Sequence, residues 1–239
     1  MIPFRDHNPS GTVPYVTIAL VALNVLVFLH EMSLPPVRRQ QFVLEYSLQP
    51  REVADVLSGE PVSSGQRLHP FATVFTSMFL HGGLLHLLGN MLYLWIFCDN
   101  VEDRMGHVKY LLFYVLCGFG AGALHMMFNA GSPVPTVGAS GAISGVLGAY
   151  MLAFPRARVS TLVVLGIFIT VIDLPALVLL GFWFLLQFFS GVGSLGAASA
   201  GGVAWWAHVG GFLVGMALLA VFQKPRETRR AYVYKRRQR

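Results

Sequence analysis

Charge is what this sequence has least of. Only 12% of its 239 residues are Asp, Glu, Lys or Arg, against 55% hydrophobic residues, whereas a soluble domain carries about a quarter charged residues. With a mean hydropathy of +0.61 and the few charges clustered, a soluble enzyme is excluded. The chain reads as one multi-pass membrane domain, because no polar segment is long enough to bury a core of its own. Cysteine is scarce as well. Cys98 and Cys117 fall at or inside apolar runs and read as small packing residues, which excludes a disulfide framework. A zinc-protease helix is missing, since His81 and His86 are five apart with no glutamate between them. No metal site and no cofactor is expected. Acidic residues are lacking deep in the apolar runs, which excludes a pair of membrane aspartates and counts against proton-coupled transport. No internal repeat of the kind found in transporters is visible either.

What is present is a series of apolar runs. Spans are expected at 13–30, 73–97, 110–129, 137–154, 174–189 and 203–222. The first run ends in Leu29-His30-Glu31-Met32 with no small-x-small cleavage site, so it reads as a retained helix and not a removed signal peptide. Residues 1–12 form a polar lead. The loop 31–70 holds Pro35, Pro36, Pro50 and Pro61, and stretches such as 38–58 predict short amphipathic helices lying on the membrane. Asp99 to Lys109 reads as a charged connector in which Glu102 caps or pairs locally. The segment 159–173 is apolar and β-branched but too short to span comfortably, and reads as an interfacial or re-entrant connector. Residues 190–202 form a Gly/Ser/Ala loop.

Six spans put both termini on one side. That side then holds 13 of the 17 Lys and Arg, and the other side holds only Arg38, Arg39, Arg51 and Arg67. The bias toward positive charge inside places both termini in the cytoplasm, whereas a seventh span at 159–173 would put the basic tail outside. Eight of the cations lie in the tail 223–239. The tail reads as a cytoplasmic end beside anionic lipid and not as a nucleic-acid-binding segment. The expected organisation is a lead (1–12), a membrane domain (13–222) and the tail, in a prokaryotic inner membrane, with an organelle as the other possibility.

Two stretches rich in small residues carry the chemistry. Residues 136–150 hold Gly138, Gly141, Gly145 and Gly148, with Ser140 between glycine and alanine; residues 207–215 hold His208, Gly211 and Gly215. Small residues four apart let helices approach closely in lipid, so these two helices are expected to pack, with Gly210 and Gly211 as packing residues. Ser140, about three residues into span 4, and His208, about five into span 6, then lie some 5–8 Å below the outer interface. His86 and Asn90, spaced i, i+4 on span 2, share a face at the same level, with His81 about a turn above. Serine needs a base to become a nucleophile, which His208 supplies. Asn90, His86 and backbone N–H groups supply donors for an oxyanion, although Asn90 also reads as interhelical glue. With no carboxylate at this depth, the arrangement is a Ser–His dyad without a third member. Ser144, one turn deeper, reads as a packing residue. The aromatics at 182–189 read equally as lipid-facing bulk or as a gate.

His81-Gly82-Gly83-Leu84-Leu85-His86-Leu87-Leu88-Gly89-Asn90, Gly138-Ala139-Ser140-Gly141 and Ala207-His208-Val209-Gly210-Gly211-Phe212-Leu213-Val214-Gly215, in that order on alternate spans, resemble the rhomboid intramembrane serine proteases over about 73–222. The resemblance implies a six-helix, all-α bundle, Ser140 as nucleophile, His208 as general base, and His86 and Asn90 as oxyanion stabilisers. His81, Gly138, Gly141 and Gly211 would line or support the cavity. It further implies that span 5 and the loop after it gate the entry of a substrate helix. Substrates would be single-pass membrane proteins cut near the outer face. A non-catalytic relative that binds transmembrane helices is the alternative, but such proteins typically lack the serine or the histidine. The sequence departs from the pattern at two places. Ser144 stands where many members place an aromatic residue against the histidine, and 31–70 contains no tryptophan where many carry a Trp-Arg pair.

Overall fold

The computed structural model describes residues 1–61, 68–166, 168–195 and 202–224. Most of the basic tail, part of the 190–202 loop and part of the first loop therefore lie outside the described residues. The chain runs β1 (Ile2–Asp6), α1 (Tyr15–Ser33), α2 (Pro36–Tyr46), α3 (Pro50–Ser58), α4 (Pro70–Thr76), a 3-10 turn (Ser77–Phe79), α5 (Leu84–Met105), α6 (His107–Asn129) and α7 (Ser140–Ala153). Then come β2 (Arg158–Leu165), β3 (Phe168–Pro175), α8 (Ala176–Gly193) and α9 (Trp205–Phe222). Proline at the first position starts α2, α3 and α4, where its missing N–H leaves no bond unmade.

Among the described residues, α1, α5, α6, α8 and α9 are long and apolar enough to cross a membrane. The protein is thus a multi-pass integral membrane protein. Of the two shorter apolar helices, Pro70–Phe79 and α7, α7 has 14 residues and is about 21 Å long, short of the roughly 30 Å of hydrocarbon. It is tolerated because it sits in the middle: every residue from Gly141 to Met151 is buried, against α5, α6, α8 and α9.

The glycine faces meet as expected, and their contacts are backbone to backbone. A Cβ added at Gly211 would overlap the Gly141 carbonyl oxygen, one at Gly215 the Gly145 carbonyl, and one at Gly148 the Phe212 carbonyl. Any side chain there would push α9 off α7. Cys98 and Cys117 are free and buried, and the Cys117 side chain packs against Gly145.

Three expectations need correction. The fold is not all-α: β2 and β3 form an antiparallel hairpin, and β1 pairs antiparallel with β2 (Ile2 opposite Leu162, Asp6 opposite Val159). The segment 159–173 is too short to span, as expected, but its β-branched residues on either side of Gly166 (φ +60) make strands. The polar lead supplies the third strand. Secondly, span 2 does not run unbroken from residue 73. Helix α4 and the 3-10 turn give way to extended chain around Leu80, and Gly83 caps the start of α5. Thirdly, the supposed connector 99–109 is helical except at Gly106 (φ +85), so α5 and α6 nearly abut.

Glu102 acts far beyond its neighbourhood. Pro14 begins α1 without a side-chain cap, and Glu102, fully buried, fills that role from α5. Its carboxylate accepts from Val16 N at 2.9 Å, Thr17 N at 2.8 Å and the Thr17 hydroxyl at 2.7 Å. It also accepts from the His107 ring at 2.6 Å, the local pairing expected. A carboxylate on free N–H groups at a helix start is favoured by hydrogen bonding and by the helix dipole.

The first loop is held without a tryptophan. Arg39 donates to the Glu31, Met32 and Leu34 carbonyls at the end of α1. Leu48 and Thr136 exchange backbone hydrogen bonds of 3.1 and 2.8 Å, and Arg51 N donates to the Ser132 carbonyl at 3.0 Å. These bonds tie the loop to the strand of chain that precedes α7.

At the other end, Asp6 accepts from the Tyr150 hydroxyl at 2.7 Å, and Lys224 N donates to the Arg104 carbonyl at 3.0 Å. One end of the bundle therefore gathers Arg5, Arg104, Lys109, Arg156, Arg158 and Lys224. Burial holds the Asp6 carboxyl above its ordinary value, while the hydroxyl of Ser160, 2.7 Å away, holds exposed Asp173 below it.

Replacing Glu102 with Gln should turn amide hydrogens against N–H donors and cost about 3 kcal/mol of stability. Thermal unfolding in detergent should show a fall of several degrees, and an unchanged midpoint would refute the cap. Folded Asp6 binds its proton more tightly than the unfolded chain does, so its contribution declines as pH rises from the ordinary carboxylate value through the raised one. Asp6→Asn should therefore gain in melting temperature relative to wild type between pH 4 and pH 7; a constant difference would contradict the shift.

Candidate active site

Ser140 is the first residue of α7, not the third or fourth. Gly138 two residues earlier adopts φ +123 and its N–H donates to the Ser77 carbonyl at 2.9 Å. This turn aims the start of α7, with its uncapped N–H groups, toward the cavity. His208 is the fourth residue of α9. The α7–α9 glycine contact sets the two side chains face to face: the Ser140 hydroxyl lies 2.8 Å from His208 Nε2.

The other ring nitrogen has a partner that the sequence reading missed. His208 Nδ1 lies 2.7 Å from Gln187 Oε1. A carbonyl oxygen only accepts, so Nδ1 carries the hydrogen and Nε2 presents its lone pair to the Ser140 hydroxyl. The histidine therefore does have an orienting group, contrary to the dyad expected. It is a neutral amide from α8 and not a carboxylate from the even-numbered spans. Its sequence signal was available: Gln187 is the single polar side chain in the run from Ala176 to Phe189, and lone polar residues in such runs are rarely idle.

The aromatic contact on the histidine is also relocated. Ser144 cannot supply it and donates to the Ser140 carbonyl at 2.6 Å instead, the back-bonding usual for a helical serine. Trp183 of α8 takes the place, its ring 5.8 Å from that of His208, and Trp205 approaches edge-on at 6.5 Å.

A cavity of about 720 Å³ opens over this pair, lined by Leu85, His86, Asn90, Ser140, Trp183 and His208 among others. His86 and Asn90 face the turn before Ser140. A Cβ on Gly138 would lie 2.8 Å from the His86 ring and 3.5 Å from Asn90 Nδ2. His81 does not line the cavity. Only 2% exposed, it stands behind Asn90 and accepts one of its amide hydrogens at 2.9 Å, which leaves Asn90 a second N–H to offer. The His81 and His86 rings meet edge to face at 5.1 Å. Gly141 and Gly211 are packing positions, Gly141 against Ala121 and Gly211 against Gly141. A second cavity of about 830 Å³ lies at the opposite end, at the tips of α5, α7 and α9. Its cations are already engaged, Arg104 with Gln223 and Lys224 with the Asp103 carbonyl.

The arrangement has what acyl transfer requires: a hydroxyl, a base in the correct tautomer, and N–H donors beside the hydroxyl at a helix N-terminus. Comparison with known proteins places the chain in a family. Residues 69–225 match the family profile of the Rhomboid domain. RHOMBOID-like protein 1 of Arabidopsis thaliana is 29% identical over 154 residues, covering 58% of this chain and 39% of the relative. Rhomboid protease GluP of Bacillus subtilis is 33% identical over 145 residues, 61% of this chain and 25% of the relative. RHOMBOID-like protein 6, mitochondrial, of Arabidopsis thaliana is 38% identical over 78 residues, 33% of this chain and 25% of the relative. The chain thus spans two-fifths or less of the length of these curated relatives.

Gly138→Ala should displace the His86 ring and strain a left-handed turn by about 1–2 kcal/mol. Reaction of Ser140 with a fluorophosphonate should slow by about tenfold or more, with a smaller loss of thermal stability than Gly211→Val causes. Equal labelling of Gly138→Ala and wild type would show that the packing of His86 on this turn is irrelevant to the serine.

Proposed function

This chain belongs to the rhomboid family, and from that premise we propose that it is an intramembrane serine endopeptidase. The observation that carries the proposal is the Ser140–His208 contact of 2.8 Å, which sets His208 Nε2 where it can take the serine proton. Ser140 Oγ attacks the scissile carbonyl while its proton passes to His208 Nε2. The negative oxygen of the tetrahedral intermediate is met by the N–H groups that start α7, by the free amide hydrogen of Asn90 and by the His86 ring. Collapse breaks the C–N bond, the departing amine takes the proton from His208, and an acyl-serine remains. Water entering through the cavity repeats the sequence with His208 as base, releasing the acid and restoring Ser140.

The proposed substrates are single-pass membrane proteins, cut near the outer face where their helices unwind most readily. On this reading α7 counts as a span despite its length, which brings the total to six. The protease unit is 13–222, and the end that gathers the cations, with both termini, is cytoplasmic. Helix α8 and the loop after it form the side entrance. The relatives named above come from a plant and a bacterium and do not carry the assignment of a prokaryotic inner membrane.

Fluorophosphonate labelling of the detergent-solubilised protein, paired with cleavage of a single-pass reporter in vesicles, tests the reading. Wild type and Ser144→Ala should react, and Ser140→Ala and His208→Ala should lose at least a thousandfold in both assays. A folded wild type that neither labels nor cleaves would overturn the protease and favour a helix-binding relative without catalysis.

A further inference from the structure

Gln187 sits alone among leucines and aromatics. In a membrane helix such an amide most often glues one helix to another. Here the group it touches is the catalytic imidazole itself, at 2.7 Å, and both residues are more than nine-tenths buried, Gln187 8% and His208 9% exposed. Four residues earlier on the same face of α8, Trp183 lies against the same ring. Elsewhere α8 exposes Leu177, Val178, Phe182, Leu185, Leu186 and Phe189 and packs inward through Ala176, Leu179, Leu180 and Gly191. Gln187 and Trp183 are the side chains it places against the His208 ring.

We propose that Gln187 is a positioning residue that fixes the tautomer of His208, so that the base is armed only while α8 is seated. The proposal rests on the protease reading above and assigns a regulatory role to the helix named there as the side entrance. An imidazole without a partner at Nδ1 distributes its hydrogen between both nitrogens and rotates about its side-chain bonds. In molecules that hold hydrogen on Nε2 it cannot take the serine proton. Gln187 Oε1 removes that alternative by accepting from Nδ1. Displacement of α8 withdraws Oε1 and the Trp183 ring together, so an open entrance leaves the serine unactivated and a closed one restores it. A neutral amide also holds the imidazole without the pull toward permanent protonation that a carboxylate would exert in this low-dielectric setting.

The test uses Gln187→Leu and Gln187→Glu in the full chain. With histidine labelled by nitrogen-15, and His208→Ala used to assign its signal, wild type should show hydrogen on His208 Nδ1 and Gln187→Leu a mixture of tautomers. Fluorophosphonate labelling should slow about 10- to 100-fold in Gln187→Leu at every pH, with a melting temperature within a few degrees of wild type. Gln187→Glu should recover much of the rate, with the acidic limb of its pH profile moved to higher pH by about one unit. An unchanged tautomer with wild-type labelling in Gln187→Leu overturns the proposal, as does a Gln187→Glu profile that does not move. If the tautomer responds but wild type itself does not label, the protease reading fails and the positioning role stands.

Discussion

Backbone contact between α7 and α9 is the constraint on which the rest depends. Hydrocarbon gives helices no hydrophobic reason to associate, so close approach must come from van der Waals contact along smooth surfaces. Gly141, Gly145 and Gly148 on one helix and Gly211 and Gly215 on the other provide such surfaces, with carbonyl oxygens where side chains would stand. The same contact fixes the separation of Ser140 and His208, one near the start of each helix. Stability and chemistry are thus set by one interface. A methyl group in the wrong place would separate Ser140 from His208 before it touched either side chain.

Polar groups elsewhere in the bundle are held in chains. Glu31, at the end of α1, accepts from the His81 backbone N–H, the His81 ring holds Asn90, and Asn90 lies against the turn that presents Ser140. Glu102 binds the opposite end of α1. The first helix is therefore pinned at both ends by buried carboxylates, although it contributes nothing to the cavity directly. Glu31, Asn90 and Glu102 each bond a group on a different element, which is how such residues are tolerated where water is scarce.

The site was more legible than the fold. Ser140 and His208 stood out because small residues at helical spacing and an isolated hydroxyl or imidazole have few structural explanations in an apolar run. His86 and Asn90 followed from the i, i+4 rule. Gln187 was passed over because the search for an orienting group looked for carboxylates on the helices bearing the pair. Hydropathy alone also failed at both ends of span 2. It cannot see that His81-Gly82-Gly83 breaks the helix, nor that Asp99, Glu102 and Asp103 continue one. The hairpin is hidden for a related reason: the apolar, β-branched residues of 159–173 read as an interfacial or re-entrant connector, and it is the turn at Gly166 and the distant pairing with Ile2–Asp6 that make strands of them. The cap on α1 has no local signal, because its donor and acceptor lie 85 residues apart.

That separation bears on biosynthesis. When α1 leaves the ribosome its capping carboxylate has not been made, and the strand Ile2–Asp6 waits longer still for β2 at 158–165. The first helix enters the membrane with one end unfinished and is completed by the arrival of α5. The N-terminal strand, in turn, finds its place only after α7 has been threaded. The order of assembly therefore departs from the order of translation, since both segments wait for partners made after them.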